Sequence, residues 1–422
     1  MKAIVVVGLG FGDCGKGSVV DAYVRKYNAS LVVRYSGGCQ CGHRVVTADG
    51  ESHVFSQFGA GTFAGALTHL SSHVIISPPA MRAEAAALEQ LGFASFGQFS
   101  VHPQALVTTP YAKFANRFAE ARRNPQYRHG TCGLGIGETR RYWLENGDDA
   151  IFAGDLRDHR TLCEKLYLQR ERVKVKISEG SLDDEDDRSE LIDEYGDVFD
   201  KSVERVADEL ALPDLDYRDD PFSRLHPDSV VVFEGAQGVL LDEYHGFHPH
   251  TTWSTVTSQQ AHELISETSR ITWSYTVGVT RCYSTRHGAG PMANENPLLK
   301  PWLREAANSD HGAQGIFRVG YLDPRLLHHA VVCDSRIDGL FVNHLDDAPK
   351  FGFRTARPTA MLPVQRIPKR KETLAVTTQT ESWPDEGRML EAINQFTNLP
   401  IVGKGRGPTA GDKELQDILL DI

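Results

Sequence analysis

Apolar runs that break into glycine recur along this chain. The first, Ala3-Ile4-Val5-Val6-Val7, is β-branched without polar alternation, the pattern of a strand buried on both faces. It enters Gly8-Leu9-Gly10-Phe11-Gly12-Asp13-Cys14-Gly15-Lys16-Gly17, after which helical spacing over Gly17–Lys26 predicts a first helix. Ser30–Tyr35 predicts a second strand, running into Gly37-Gly38-Cys39-Gln40-Cys41-Gly42-His43. Amphipathic helices are predicted over Ala80–Leu91, behind Ser77-Pro78-Pro79, and over Tyr111–Arg123. Ser229–Phe233 is another strand run, leading to Glu234-Gly235-Ala236-Gln237-Gly238, and the segment Gly278–Pro291 repeats the pattern. Four such strand-then-glycine turns predict one crevice at the carboxyl edge of a sheet, where open α/β sheets hold ligands.

One stretch departs from this rhythm. Glu179–Asp220 is strongly acidic, headed by Asp183-Asp184-Glu185-Asp186-Asp187, and its helical spacing over Val203–Leu210 predicts a solvated helical excursion at about residues 179–220. With 422 residues, 41% of them hydrophobic, the chain can bury a large core, and residues 1–422 are expected to act as one catalytic unit. A net charge of −11 argues against nucleic acid and anionic membranes as partners, so any anionic ligand must meet local positive groups. Met1-Lys2 leads directly into a strand, no apolar stretch is long enough to cross a bilayer, and seven cysteines suit a reducing compartment. A cytoplasmic protein is expected.

The first loop carries the most chemistry. A buried strand, a glycine-rich turn and a helix N-terminus are the parts that aim backbone N–H groups at a phosphate. Gly10-x-Gly12-x-x-Gly15 fits a dinucleotide fingerprint, yet the next strand ends in Arg34 and Tyr35 instead of a ribose-binding acid. Gly10-x-x-x-x-Gly15-Lys16 fits a P-loop up to Gly17, where Ser or Thr would hold Mg²⁺, which leaves Asp13 as the nearest oxygen donor. His43, on a glycine-rich turn beyond a strand, is a candidate acid or base; a surface turn histidine is the plainer alternative. Cys39, Cys41 and His43, with Cys14, could also be metal ligands, though alternate-residue spacing is too tight for a structural zinc site. Gly130–Gly137 is a further glycine-rich loop that could offer N–H groups and the Thr131 hydroxyl to an anion.

Taken as a set, Gly12-Asp13-Cys14-Gly15-Lys16-Gly17, Gly37-Gly38-x-x-x-Gly42-His43, Phe233-Glu234-Gly235-Ala236-Gln237-Gly238 and Ser284-Thr285-Arg286-x-Gly288-Ala289-Gly290-Pro291 resemble the adenylosuccinate synthetase family. The resemblance runs from about residue 3 to the C-terminus. It implies an α/β fold, a P-loop-like parallel central sheet with helices on both faces, elaborated by helical and loop excursions. The implied activity is a GTP- and Mg²⁺-dependent ligase, a homodimer, that joins aspartate to the 6-position of IMP through a 6-phosphoryl intermediate. Asp13 would then be the base and a Mg²⁺ ligand, His43 the acid, and Lys16 with the N–H groups of Gly12, Gly15 and Gly17 the phosphate clamp. Gly42 would offer a carbonyl to Mg²⁺, Arg286 would lie on the nucleotide, and Gln40, Thr131, Gln237 and Thr252 would hold the purine substrate.

Several positions depart from that pattern. The family's loop acid is Cys14 here, its Asn-Ala-Gly-His is Gln40-Cys41-Gly42-His43, and its Thr-Thr-Gly-Arg-Gly-Ile-Gly is Thr131-Cys132-Gly133-Leu134-Gly135-Ile136-Gly137. The guanine-reading Thr-Lys-Leu-Asp is Asn343-His344-Leu345-Asp346, where Asp346 can still accept from guanine, so GTP is the expected donor with ATP open. The Arg-rich amine loop reads Ala313-Gln314-Gly315-Ile316-Phe317-Arg318-Val319, leaving Arg318 alone for an amino acid such as aspartate. Gly403–Thr409 falls where the family closes over guanine. Three readings stand side by side: the family reaction, a paralogue using another purine such as a guanylate (a phage branch of similar chemistry does this) or another amine, and a catalytically weak nucleotide sensor.

Overall fold

The structure, a computed structural model, describes residues 1–93, 96–123, 130–179, 185–303, 308, 315–357 and 379–419. A sheet of ten strands among these residues organises the rest. In chain order they are β1 (Lys2–Gly8), β2 (Leu31–Arg34), β3 (Leu67–Leu70), β4 (Phe99–Val101), β5 (Asp216–Tyr217), β6 (Val230–Glu234), β7 (Trp273–Arg281), β8 (Gly339–Asn343), β9 (Ile401–Gly405) and β10 (Lys413–Leu415). Their spatial order is β10-β9-β8-β7-β1-β6-β2-β3-β4-β5. Every neighbouring pair is parallel except β9 with β10 at one edge.

The unalternated run in β1 is explained by what lies on each side. Ile4 and Val6 pack with Val19, Val20 and Tyr23 of the first helix, α1 (Lys16–Tyr27). Ala3 and Val5 face the other way, into a cluster with Val231, Phe233 and Ala261. Both faces of the sheet are covered, so neither parity of the strand can be polar. Fully burying each of these valines or isoleucines is worth about 1.5–3 kcal/mol.

The predicted helices are present with boundaries moved by a few residues. They are α2 (Pro78–Gln90) and α3 (Pro110–Ala121), the latter capped by the Thr109 hydroxyl accepting from the Ala112 N–H. Next come α4 (Ile136–Asn146), α5 (His159–Ser178), α6 (Glu185–Phe199) and α7 (Val203–Leu210). Residues 180–184 of the acidic stretch lie outside the described residues; the rest is largely helical and is docked as well as solvated: Leu191, Phe199, Val203, Val206 and Leu210 join the main core, and Asp216–Tyr217 supply the sheet's edge strand. A charge count registers the outer face of such helices and misses the buried stripe.

Register places chemistry at the carboxyl edge. Val6 lies opposite Glu234 on one side and Val277 on the other; Glu234 in turn pairs with Arg34, and Arg281 with Asn343. Four polar side chains from strands far apart in sequence thus close the carboxyl edge at two levels, Glu234 and Arg34 level with Val6, and Arg281 and Asn343 four residues further along β7.

Candidate active site

The loop between β1 and α1 is built on left-handed residues: Gly12 has φ 92°, Asp13 φ 50° and Gly15 φ 82°. Asp13 lacks glycine's freedom there, and neighbours hold it. The Arg281 Nε–H donates to the Asp13 carbonyl, and the Asn343 amide donates to the carbonyls of Cys14 (3.2 Å) and Gly15 (3.4 Å). Lys16 is buried, its Nζ donating to the Gln237 carbonyl from the turn after β6. The Asp13 carboxylate stays about one-third exposed, 3.3 Å from His287 Nε2.

Gly17 explains the departure from a standard P-loop. A Cβ there would lie 2.9 Å from the Arg44 carbonyl and 3.0 Å from the His43 backbone, because the hairpin of His43–Val46 and Ser52–Phe55 packs on the start of α1. The space a Ser or Thr would need is taken by the segment that carries His43.

That hairpin sets His43 above Glu234. His43 Nδ1 is hydrogen-bonded to Glu234 Oε1, while Glu234 Oε2 accepts from the Ala60 N–H at 3.0 Å. Burial pushes the imidazole well below its ordinary pKa against the pull of Glu234. Burial acts upward on Glu234, yet the adjoining His43 and Arg34 leave its carboxyl below the usual range. The pair is thus a carboxylate and a neutral imidazole whose Nδ1–H points at the acid. Its other nitrogen, Nε2, is buried without a hydrogen-bond partner, and so are Gln40 Oε1 and Gln237 Oε1. Unsatisfied buried polar atoms on adjoining turns mark a place where a polar ligand belongs.

The structure places the remaining candidates as follows. Thr131 donates to Asn116 Oδ1 at 3.0 Å in the loop before α4, and Thr252 is half-buried beside Trp253, which abuts Gly137 at the start of that helix. Arg286 is buried against the Phe11 ring, with its guanidinium engaged by the carbonyls of Ala289 (3.0 Å), Pro291 (3.2 Å) and His250 (3.2 Å). Arg318 is similarly engaged by the carbonyls of Gly288 (3.0 Å) and Gly290 (2.8 Å) and by Glu295 (2.5 Å). Ile316, beside it, is 64% exposed, while Ala313 and Gln314 lie outside the described residues. Asp346 is half-buried next to Leu345, whose N–H donates to the Gly405 carbonyl at 2.9 Å. Gly12, Gly15 and Gly17 surround the loop, and Gly42 adjoins His43.

Sequence reasoning passed over Glu234, Arg281, Asn343 and His287 as functional residues. Their common signal is a polar side chain at or just beyond the last position of a strand, where the crevice opens. No group of three or more His, Cys, Asp or Glu side chains able to hold a metal converges among the described residues, and this bears on the cysteine reading of Cys39, Cys41 and His43.

A mostly parallel sheet whose first turn is a glycine–lysine loop over a crevice holding carboxylates and an imidazole defines a nucleotide-binding α/β enzyme. The sequence profile of adenylosuccinate synthetase matches residues 5–354. The chain is 30% identical over 351 residues to an adenylosuccinate synthetase of Thermoplasma volcanium, covering 82% of this chain and 76% of that one. The chain belongs to the adenylosuccinate synthetase family, ligases that form a C–N bond on a purine nucleotide with GTP as co-substrate and Mg²⁺, and that bind IMP and aspartate. Two solved structures share the fold. One is the fully ligated adenylosuccinate synthetase of Plasmodium falciparum (TM-score 0.76, 17% identity, 98% of this chain and 99% of that one). The other is the succinoaminodeoxyadenylate synthetase of cyanophage S-2L bound to dGMP and dATP as an energy donor (TM-score 0.62, 16% identity, 98% and 95%).

Proposed function

We propose that this chain phosphorylates the 6-oxygen of a purine nucleotide of the IMP type and replaces the phosphate with the amine of an amino acid such as aspartate. The observation that carries the reading is the set of buried atoms without partners, His43 Nε2, Gln40 Oε1 and Gln237 Oε1, together with the partly exposed Asp13 carboxylate. An amide oxygen leaves poorly until it is phosphorylated, so the site must supply a base, an acid and a phosphate clamp.

Asp13 takes the N1 proton of the base, and the electron pair moves to O6, which attacks the γ-phosphorus as the donor's β–γ bond breaks. His43 Nε2 takes up a proton from solvent as the anionic phosphates enter, and it donates a hydrogen bond from there to the charge growing on the transferred group, while Glu234 stabilises the imidazolium through Nδ1. The amine nitrogen then adds at C6, inorganic phosphate leaves with the C6–O bond electrons, and the amine's excess protons pass to solvent. Loop N–H groups at Gly12, Gly15 and Gly17 with Lys16 hold the donor phosphates, and Gln40, Gln237, Thr131 and Thr252 hold the acceptor.

One carboxylate, one backbone carbonyl and phosphate oxygens form a donor set that suits Mg²⁺, which keeps few protein ligands. Asp13 and the Gly42 carbonyl would hold it, and when bound it neutralises phosphate charge. Arg286 and Arg318 shape the 288–291 turn from within through their carbonyl contacts, and Asp346 reads the donor base. Family membership supports a cytoplasmic homodimer; no described helix is long and apolar enough to cross a membrane.

The test is phosphate release from GTP and from ATP, with Mg²⁺, over a panel of IMP, GMP, their deoxy forms and aspartate, with Asp13→Ala as control. Release that needs IMP and aspartate supports the reading. Release only with another purine or amine redirects it to a repurposed ligase. Nucleotide binding without release overturns it in favour of a sensor.

A further inference from the structure

Asn343 joins two parts of the site that the sequence keeps more than 300 positions apart. On one side its Nδ2 donates to the Cys14 and Gly15 carbonyls, and on the other its Oδ1 accepts from Lys413 Nζ at 3.3 Å. Asn343 is 2% exposed, its amide set between the backbones of Gly15 and Gly405. A Cβ at Gly15 would come within 2.3 Å of its Nδ2, and one at Gly405 within 2.0 Å of its Oδ1. Lys413 also donates to the Gly407 carbonyl, and Asp412, Asp346 and Asp21 surround its ammonium.

A trans peptide points its N–H opposite its C=O. Holding the Cys14 and Gly15 carbonyls from behind therefore turns the next two N–H groups, those of Gly15 and Lys16, toward the concave side of the loop, where a phosphate binds. Only a carboxamide meets both demands, donating to two carbonyls while accepting from an ammonium. We propose that Asn343, fixed by Lys413, is a positioning residue that links the donor-base end of the site to the phosphate loop. This rests on the reading of the loop as the donor-phosphate site and of the Asp346–Gly407 region as the donor-base site.

The experiment measures equilibrium binding of inorganic tripolyphosphate, of GTP and of IMP to the full chain, along with kcat and KM, in Asn343→Asp, Lys413→Met and the double variant. Aspartate at 343 keeps the shape but sets a carboxylate oxygen against two carbonyl oxygens. We expect Asn343→Asp to weaken tripolyphosphate at least tenfold. Lys413→Met should weaken tripolyphosphate about three- to tenfold although the lysine is on the far side of the amide, and the double variant should be no worse than Asn343→Asp alone. IMP affinity should stay within twofold.

The proposal is overturned if Lys413→Met weakens GTP but leaves tripolyphosphate unchanged, because the lysine then serves the base alone. Wild-type tripolyphosphate affinity in Asn343→Asp, or parallel losses for IMP and tripolyphosphate together with lower thermal stability, also overturns it, the last pattern marking a purely structural residue. If Asn343→Asp does not fold, Lys413→Met decides alone. Failure of the underlying reading is distinct: the wild-type chain would bind neither tripolyphosphate nor GTP.

Discussion

Glu234→Gln is the sharpest test of how the His43 nitrogen is prepared for chemistry. The carboxylate has two acceptor oxygens and both are in use, one toward His43 Nδ1 and one toward the Ala60 N–H at 3.0 Å. A glutamine offers one oxygen and one NH₂. If the oxygen keeps His43, the NH₂ meets the Ala60 N–H and leaves a buried donor unsatisfied, at about 1–3 kcal/mol of stability. If the oxygen keeps Ala60, the NH₂ donates to Nδ1 and moves the imidazole proton to Nε2. In either arrangement the imidazolium that acts in phosphoryl transfer loses a charged partner. A hydrogen bond to a charged group is worth about 1.5–3 kcal/mol, which corresponds to about a 10- to 150-fold drop in kcat. The assay is purine-dependent phosphate release at saturating donor and acceptor, with both KM values followed. Donor KM should remain within about twofold, since Glu234 touches no phosphate-loop residue by its carboxylate. An unchanged kcat, or a loss expressed wholly in KM, would refute the coupling of Glu234 to the acid.

Other outcomes follow from particular contacts. Asp13→Asn should lower kcat by at least about 100-fold, the range of a lost general base, while GTP affinity measured by titration shifts only a few-fold. Gly17→Ser completes the P-loop signature on paper, yet its Cβ would sit 2.9 Å from the Arg44 carbonyl; it should destabilise by about 1–3 kcal/mol in urea and give no tighter Mg²⁺ dependence. His69, in the middle of β3, has its imidazole pushed down to about 3 by burial. Because the unfolded chain binds that proton first, stability falls as pH drops below about 6.5 toward 3, by about 2 kcal/mol at pH 5 relative to neutral pH. His69→Gln should flatten that part of the urea-midpoint profile.

The sheet can be read from sequence because burial on both faces suppresses alternation: the structure extends Ala3–Val7 by a residue at each end to Lys2–Gly8 and shifts Ser229–Phe233 by one residue to Val230–Glu234. The glycine-rich turn after β1 is equally readable, since glycine at 12 and 15 answers to positive φ. What holds the loop is not. Arg281 and Asn343 look like ordinary turn residues until the pairing of β7 with β8 lines them up under Asp13 and Cys14. Two arginines are hidden in another way. Arg286 and Arg318 carry the chemistry of anion binding, but sequence does not reveal that nearby backbone carbonyls take part of their five N–H donors. Gly17 was read as a missing ligand, whereas its smallness answers to the His43–Arg44 backbone.

The pairing of β1 also bears on how the chain is made. Strand β1 has as its two neighbours β6 and β7, which begin at Val230 and Trp273, far later in the chain. Until some 280 residues have been synthesised, a fully apolar strand has no place in its sheet, and such exposed segments invite aggregation. The loop that follows it waits longer still, since Asn343 and Lys413 arrive last. Nucleotide capture therefore waits for β8 and Lys413, and shortened chains ending before β8 should be unable to retain the triphosphate even if the preceding residues collapse.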